Sequence, residues 1–186
     1  MDVPRSDALL VVRAQLGDRR SLGKLVDRWH EPLWRYVRRL LDAPGAADDV
    51  AQEAWAAALR SLPRLREPDR FTPWLFTIAR RAVLNHLRDR YGRAESPTAG
   101  HPDETAEADE AVPDDVPGVL DRRQVEEGLA GLPPRERDVL VLFYLYDFPL
   151  TDCAEVLQVP PGTVKSRLHR ARRMLHAQLV EKGYHE

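Results

Sequence analysis

The chain has 186 residues, 43% hydrophobic and 31% charged, room for one large domain or two small ones and not the composition of a wholly disordered polypeptide. Its 28 Lys and Arg against 30 Asp and Glu give a net charge of −2, and no apolar run approaches the roughly 18 residues that a membrane span needs. The single cysteine, Cys153, excludes an internal disulfide and a multi-cysteine zinc site. An acid at position two and no small-residue cleavage site predict that there is no signal peptide and that the protein is cytoplasmic. Only Lys24, Lys165 and Lys182 among the basic residues are lysines. Arginine in such excess fits phosphate and base recognition, and it fits a GC-rich genome equally well.

Residues 1 to about 92 read as all helix. Asp7 to Leu16 is a short apolar-rich segment that stops at Gly17-Asp18. Ser21 is placed to cap the next helix, whose Leu22, Leu25, Val26, Trp29, Leu33, Val37, Leu40 and Leu41 recur at spacings of three and four, one buried stripe. Pro32 lies inside that run and predicts a kink or a division. After the turn at Pro44-Gly45 a third helix starts near Ala46, with Asp48 and Asp49 in its first turn, where acids suit the helix dipole. Burying Val50, Ala54, Trp55, Ala58, Leu59 and Leu62 leaves Asp49, Gln52, Glu53 and Ala56 on the opposite face, and Pro63 and Pro68 end the helix.

A fourth helix starts near Pro73, with Thr72 as its expected N-cap. Leu75, Ile78, Ala82 and Asn85 are expected inward, and Thr77, Arg80, Arg81, Leu84 and Arg88 outward. Between Arg60 and Arg93 there are nine arginines against three acids, interleaved with Phe71, Trp74, Phe76 and Tyr91. Such a mixture suits single-stranded nucleic acid, since charge tracks phosphates while rings and guanidinium planes stack on bases. It is also what a helix shows when its aromatics are core and its arginines merely solvated, and Trp74 is expected in the core.

Residues 94 to 121 hold nine acids (Glu95, Asp103, Glu104, Glu107, Asp109, Glu110, Asp114, Asp115 and Asp121), four prolines and no Lys or Arg. They cannot bury enough apolar surface to offset their ordering entropy, so a mobile linker is predicted. Removing them leaves 21 of the 30 acids against all 28 basic residues, a surplus of seven positive charges on the flanking parts. The linker is either a plain solvated tether or a screen for those basic surfaces when DNA is absent.

Beyond it, Leu120 to Leu129 begins a helix closed by Gly131, and Pro133-Pro134 opens the next, with Val139, Leu140, Leu142, Phe143 and Tyr146 as its apolar side. A short helix with Cys153, Ala154, Val156 and Leu157, a tight turn near Gln158-Val159-Pro160 and a longer helix from Pro161-Gly162-Thr163 make a helix-turn-helix. In the last helix Val164, Leu168, Ala171 and Leu175 form a narrow apolar stripe, and the far face shows Ser166, His169, Arg170 and Arg173, flanked by Lys165 and Arg172. Residues 161 to 182 carry six basic residues and one acid. That face suits a polyanion: Arg and Lys bond guanine O6 and N7, while Thr163 and the helix N-terminus hold phosphate. Cys153 falls where the helix pair needs a small buried hydrophobe.

Signals of catalysis are missing. The six histidines are scattered outside metal-ligand spacings, there is no Gly-rich phosphate loop, and no helix pair offers a nucleophile with a base. No enzyme, catalytic residue, metal or cofactor is expected. A helical scaffold does not explain the segregated charge.

DDVAQEAW (48–55), FTPWLFTIARRAVLNHLR (71–88) and LPPRERDVLVLFYLYDFPLTDCAEVLQVPPGTVKSRLHRARRML (132–175) resemble bacterial sigma-70 family factors of the extracytoplasmic-function group. The resemblance implies an all-α chain of two small helical domains: sigma region 2 over residues 1–92, a flexible acidic linker over 93–119, and a region 4 helix-turn-helix over 120–186. It implies that Asp48, Asp49, Gln52 and Glu53 dock on the clamp helices of the RNA polymerase beta-prime subunit. Arg80, Arg81, Leu84, Asn85 and Arg88 then lie where the family opens promoter DNA and captures non-template bases of the −10 element. Thr163, Lys165, Ser166, His169, Arg170 and Arg173 lie on the helix that reads the −35 element, and the region 4 body meets the flap of the beta subunit. An anti-sigma factor, clamped between the two bodies, is a further implied partner, and membrane insertion is not implied. One departure is Pro149, where the family places a Ser-type cap, leaving Asp147 or Thr151 to cap that helix. The alternative is a stand-alone helix-turn-helix regulator that binds duplex DNA without polymerase. It has no need of an acidic DDVAQE face beside an Arg/aromatic helix.

Overall fold

Asp18 decides where the second helix begins. Its Oδ1 accepts from the Arg20 backbone N–H at 2.9 Å and its Oδ2 from the Ser21 hydroxyl at 2.7 Å, so Asp18 is the N-cap and Ser21 sits buried in the first turn. The expected Ser21 cap is thus corrected by three residues: a carboxylate is free to take both donors. These bonds, the Ser21 hydroxyl first and the Arg20 N–H second, lower the Asp18 pKa.

The computed structural model describes residues 3–41, 44–91 and 128–182, and every regular element among them is helical. The predicted linker, residues 93–119, and the helix predicted from Leu120, as far as residue 127, lie outside the described residues. The chain divides into two compact units, Met1–Ser96 and Pro97–Glu186.

The first unit holds α1 (Val3–Gln15), α2 (Arg19–Leu40), α3 (Ala47–Ser61) and α4 (Phe71–Tyr91). Short 3-10 turns over Pro44–Ala46, Leu62–Arg64 and Pro68–Arg70 join them. Pro32 does not divide α2. Phe76 is fully buried at the centre, with the Tyr36 ring 5.0 Å and the Trp29 ring 6.2 Å from its own. Leu25, Leu33, Leu75, Val11, Val37, Val50 and Val83 complete the interior, each stabilising the fold by roughly 1.5–3 kcal/mol through burial. Polar side chains pin α1 to the rest. Gln15 Nε2 donates to the carbonyls of Leu62 and Leu65 at 2.9 and 2.8 Å, and buried Asp7 is paired with Arg28 and accepts from Trp29 Nε1 at 3.1 Å.

Sequence expectations fail here at recognisable places. Leu59, placed in the α3 stripe, is exposed, and Ala47 and Ala51 are buried instead. Thr72 does not cap α4: the Pro68–Arg70 turn runs straight into a helix that already starts at Phe71. The inward face of α4 is Leu75, Phe76, Ala79, Ala82, Val83 and Leu87, so Asn85 faces solvent and Ile78 is only half-buried.

The second unit holds the helical residues 128–130, α5 (Pro134–Leu140), which runs on into a π turn over Val141–Leu145, α6 (Leu150–Leu157) and α7 (Pro161–Glu181). Gly128 packs closely on the last helix: a Cβ there would lie 2.6 Å from Leu175 Cδ1, so the Leu175 side chain would have to shift to admit one. Arg137 is buried and donates through Nη2 to the carbonyls of Ala130 and Leu132 at 2.8 and 3.0 Å, while Gln178 Nε2 donates to the Gly131 carbonyl at 2.7 Å. Neither Asp147 nor Thr151 caps α6. Pro149 takes the cap position and its carbonyl accepts from the Asp152 and Cys153 N–H groups at 2.9 and 3.0 Å; Asp147 is spent on a left-handed turn at φ 51°. The turn between α6 and α7 closes on Gln158, also left-handed at φ 56°, with the Val159 N–H on the Ala154 carbonyl at 3.1 Å.

Candidate nucleic-acid and partner interfaces

Three helix faces hold the predicted site residues, and each is fixed from behind by an apolar stripe. On α3, Ala47, Val50, Ala51, Ala54, Trp55 and Ala58 are buried, so Asp49, Gln52 and Glu53 stand together in solvent. Asp48 is exposed too, but its Oδ1 accepts from Trp34 Nε1 at 2.7 Å. That bond ties the first turn of α3 to α2 and leaves the other three as the open face. Sequence reasoning did not single out Trp34; no spacing rule pairs residues 14 apart.

On α4 the predicted set separates. Arg81, Asn85 and Arg88 are exposed and recur at spacings of four and three, one face of the helix. Leu84 is half-buried beside them. Arg80 is 7% exposed and engaged within the fold, which corrects its placement on the outward face. The physical reason is the phase of the stripe: once Phe76, Val83 and Leu87 are core, the position of Arg80 turns inward. The aromatics divide likewise. Phe71 and Phe76 are core, and Trp74 is half-buried with its ring 5.8 Å from that of Phe71. The side chain of Tyr91 lies outside the described residues.

On α7, Val164, Leu168, Ala171 and Leu179 are buried, and the predicted stripe member Leu175 is half-buried. Lys165, Ser166, Arg170 and Arg173 are exposed, while His169 and Thr163 are half-buried. The helix has no side-chain cap, and Pro160 and Pro161 open it. The Ser166 hydroxyl donates to the Thr163 carbonyl at 3.0 Å. Arg172 is half-buried with its guanidinium carbon 5.4 Å from the centre of the Tyr144 ring, a cation–π contact between α7 and the π turn. Arg170 Nε lies 3.4 Å from Oε1 of Glu136 on α5. Neither partnership was legible in a helical wheel of α7 alone.

The family match decides what the three faces belong to. Residues 25–93 match the family description "Sigma-70 region 2" and residues 122–175 match "Sigma-70, region 4". The ECF RNA polymerase sigma factor SigC of Mycobacterium tuberculosis is 31% identical over 168 residues, 90% of this chain and 88% of that one. The chain belongs to the sigma-70 family, in the ECF group. Two solved structures resemble this ECF sigma factor over most of its length. CnrH, in complex with the cytosolic domain of CnrY, gives a TM-score of 0.67 at 28% identity, covering 94% of this chain and 97% of that one. The sigma factor RpoE of Bartonella quintana, in complex with the anti-sigma factor NepR, gives 0.66 at 25%, covering 85% and 96%.

The region 2 match takes in the α3 and α4 faces, and the region 4 match ends at Leu175, so it takes in the basic face of α7. In this sigma factor Cys153 is packing. It is fully buried, its thiol lies 3.5 Å from the Phe148 carbonyl, and its pKa is pushed up to about 12, first by burial and then by Asp152 and Asp138. A thiol so placed is not a thiolate at neutral pH. Among the described residues no three His, Cys, Asp or Glu side chains cluster as metal ligands, and no helix is long and apolar enough to cross a membrane.

Proposed function

We propose that this sigma factor directs promoter-specific initiation through three surfaces, as a non-enzymatic cytoplasmic factor. Residues 1–92 carry polymerase docking and −10 recognition, residues 93–119 connect, and residues 120–186 read the −35 element. Asp49, Gln52 and Glu53 contact the clamp helices of the beta-prime subunit, with Asp48 holding their helix in place through Trp34. Arg81, Asn85 and Arg88 act on melted −10 DNA, with Leu84 at the edge of that face and Arg80 supporting it from within. Lys165, Ser166, His169 and Arg170 meet −35 bases, and Thr163 and Arg173 meet phosphates. The region 4 body also contacts the beta flap. An anti-sigma factor controls the protein, a reading supported by the RpoE relative, whose structure holds one.

The observation that carries this reading is the pairing, within one unit, of an exposed acid and amide face on α3 with an exposed arginine face on α4. A regulator that only grips duplex DNA has no use for the first. Asp49→Lys with Glu53→Lys reverses the charge on the α3 face and touches no buried group. The doubly changed protein is expected to keep its helix content and thermal midpoint but to bind core polymerase at least tenfold more weakly, about 1.4 kcal/mol or more. Titration of labelled protein with core enzyme measures this, and unchanged affinity removes the assignment. Run-off transcription from a promoter library separates the two functional classes, since a stand-alone regulator gives no transcript with core enzyme alone.

A further inference from the structure

We propose that Glu136 is a positioning residue for sequence readout: it holds the guanidinium of Arg170 so that its outer edge meets a single base of the −35 element. The inference rests on reading α7 as the −35 helix.

Glu136 stands in the first turn of α5, outside the helix-turn-helix, and no contact with DNA is needed from it. Its side chain is 7% exposed, whereas that of Arg170 is 69% exposed. A carboxylate taken out of water needs a charged or hydrogen-bonding partner, so the buried member of this pair anchors the exposed one, not the reverse. The atom engaged matters. The contact is made by Nε of Arg170, 3.4 Å from Oε1. An arginine offers five N–H donors in one rigid plane. With Nε turned toward the carboxylate in this ion pair, the two Nη groups lie at the far edge of the plane, and that edge is the fork that pairs with O6 and N7 of guanine.

Long side chains lose conformational freedom when they bind, and a guanidinium held in advance loses less. Arg173, three residues further along the same face, shows the contrast. It is exposed and makes no ion pair among the described residues. A free arginine suits phosphate, where the acceptor is broad, and a held one suits a base edge, where it is narrow. The order of the two along the helix already assigns Arg170 to bases and Arg173 to phosphates, and Glu136 gives Arg170 a support that Arg173 does not have.

The test is selection of a randomised −35 element by polymerase holoenzyme carrying wild-type protein, Arg170→Ala, Glu136→Gln, Glu136→Ala or the double change Glu136→Ala/Arg170→Ala. Arg170→Ala is expected to flatten discrimination at one position by roughly five- to hundredfold. Glu136→Ala is expected to flatten the same position and no other, and the double change to add little. Glu136→Gln, which keeps the shape and an acceptor but not the charge, falls between wild type and Glu136→Ala. If Glu136→Ala weakens all sequences alike while Arg170→Ala shifts preference, Glu136 merely supports the fold and the proposal is overturned, with the reading of Arg170 intact. If Glu136→Ala does not fold, a folded Glu136→Gln protein with full wild-type preference overturns it equally. Wild-type preference retained by Arg170→Ala overturns the reading of α7 itself.

Discussion

Arg80 and Arg81 are adjacent in the chain, yet Arg80 is buried and Arg81 stands in solvent with Arg88 on the same face. Their substitutions should therefore fail in different ways. Arg81→Ala and Arg88→Ala remove charge from an exposed surface, where stability changes stay within about 0.5 kcal/mol. Their expected effect is slow open-complex formation on duplex promoters, partly restored on a template with a pre-melted −10 bubble. Arg80→Ala instead leaves the groups around a buried guanidinium without their partner, at about 1–3 kcal/mol. It should lower the thermal midpoint and reduce transcription from both templates. Permanganate footprinting, with thermal unfolding beside it, makes the distinction. If Arg81→Ala loses equal activity on bubble and duplex templates, melting is not its step.

At the scale of helices, what the sequence revealed depends on how many residues vote for one face. α7 was legible because Val164, Leu168 and Ala171 repeat cleanly and basic residues crowd the other side, and all three are buried. The open face of α3 was legible for the same reason, although Leu59 and Ala51 exchange roles at its edge. α4 was read out of phase. Phe71 and Phe76 are five residues apart and fit no single stripe, and a long Arg80 stem can follow an apolar surface inward, which charge alone disguises. Contacts between helices were invisible altogether: Trp34 with Asp48, Arg172 with Tyr144, Glu136 with Arg170. Each joins residues whose nearness is created by packing. The α7 stripe also supplies a control for all work on its outer face. Leu168 is buried, so Leu168→Ala should destabilise the second unit by roughly 2–5 kcal/mol through the cavity left behind. Promoter affinity should fall through loss of folded protein while base preference in a −35 selection stays that of wild type. A changed preference would mean that α7 moves on its bed, and single changes on its face would then be unreadable.

Over the whole molecule, a net charge of −2 conceals a basic protein with nine acids gathered in residues 94–121. Nucleic acid responds to local field, so the total is a poor guide to how the free chain meets DNA. The two roles weighed for those acids make opposite forecasts. As mere solvated tether their charge is irrelevant to DNA, whereas as a screen it offsets the basic surfaces of both units. Converting all nine to the matching amides, Asp to Asn and Glu to Gln, keeps chain length and polarity and moves the net charge from −2 to +7. Screening then predicts tighter binding of random-sequence duplex by the free protein, by about tenfold or more at low salt. The gain should shrink as salt rises, since the Debye length falls from about 30 Å at 0.01 M to about 8 Å at 0.15 M. It should also shrink in the holoenzyme, where the basic faces are already committed to promoter and polymerase. Fluorescence anisotropy across a salt series, with and without core enzyme, measures both. Equal affinity of the two proteins at low salt would assign the acids to solvation alone. A gain that persists undiminished at high salt would mean that the amide chain makes new contacts of its own, and electrostatic screening would not be its cause.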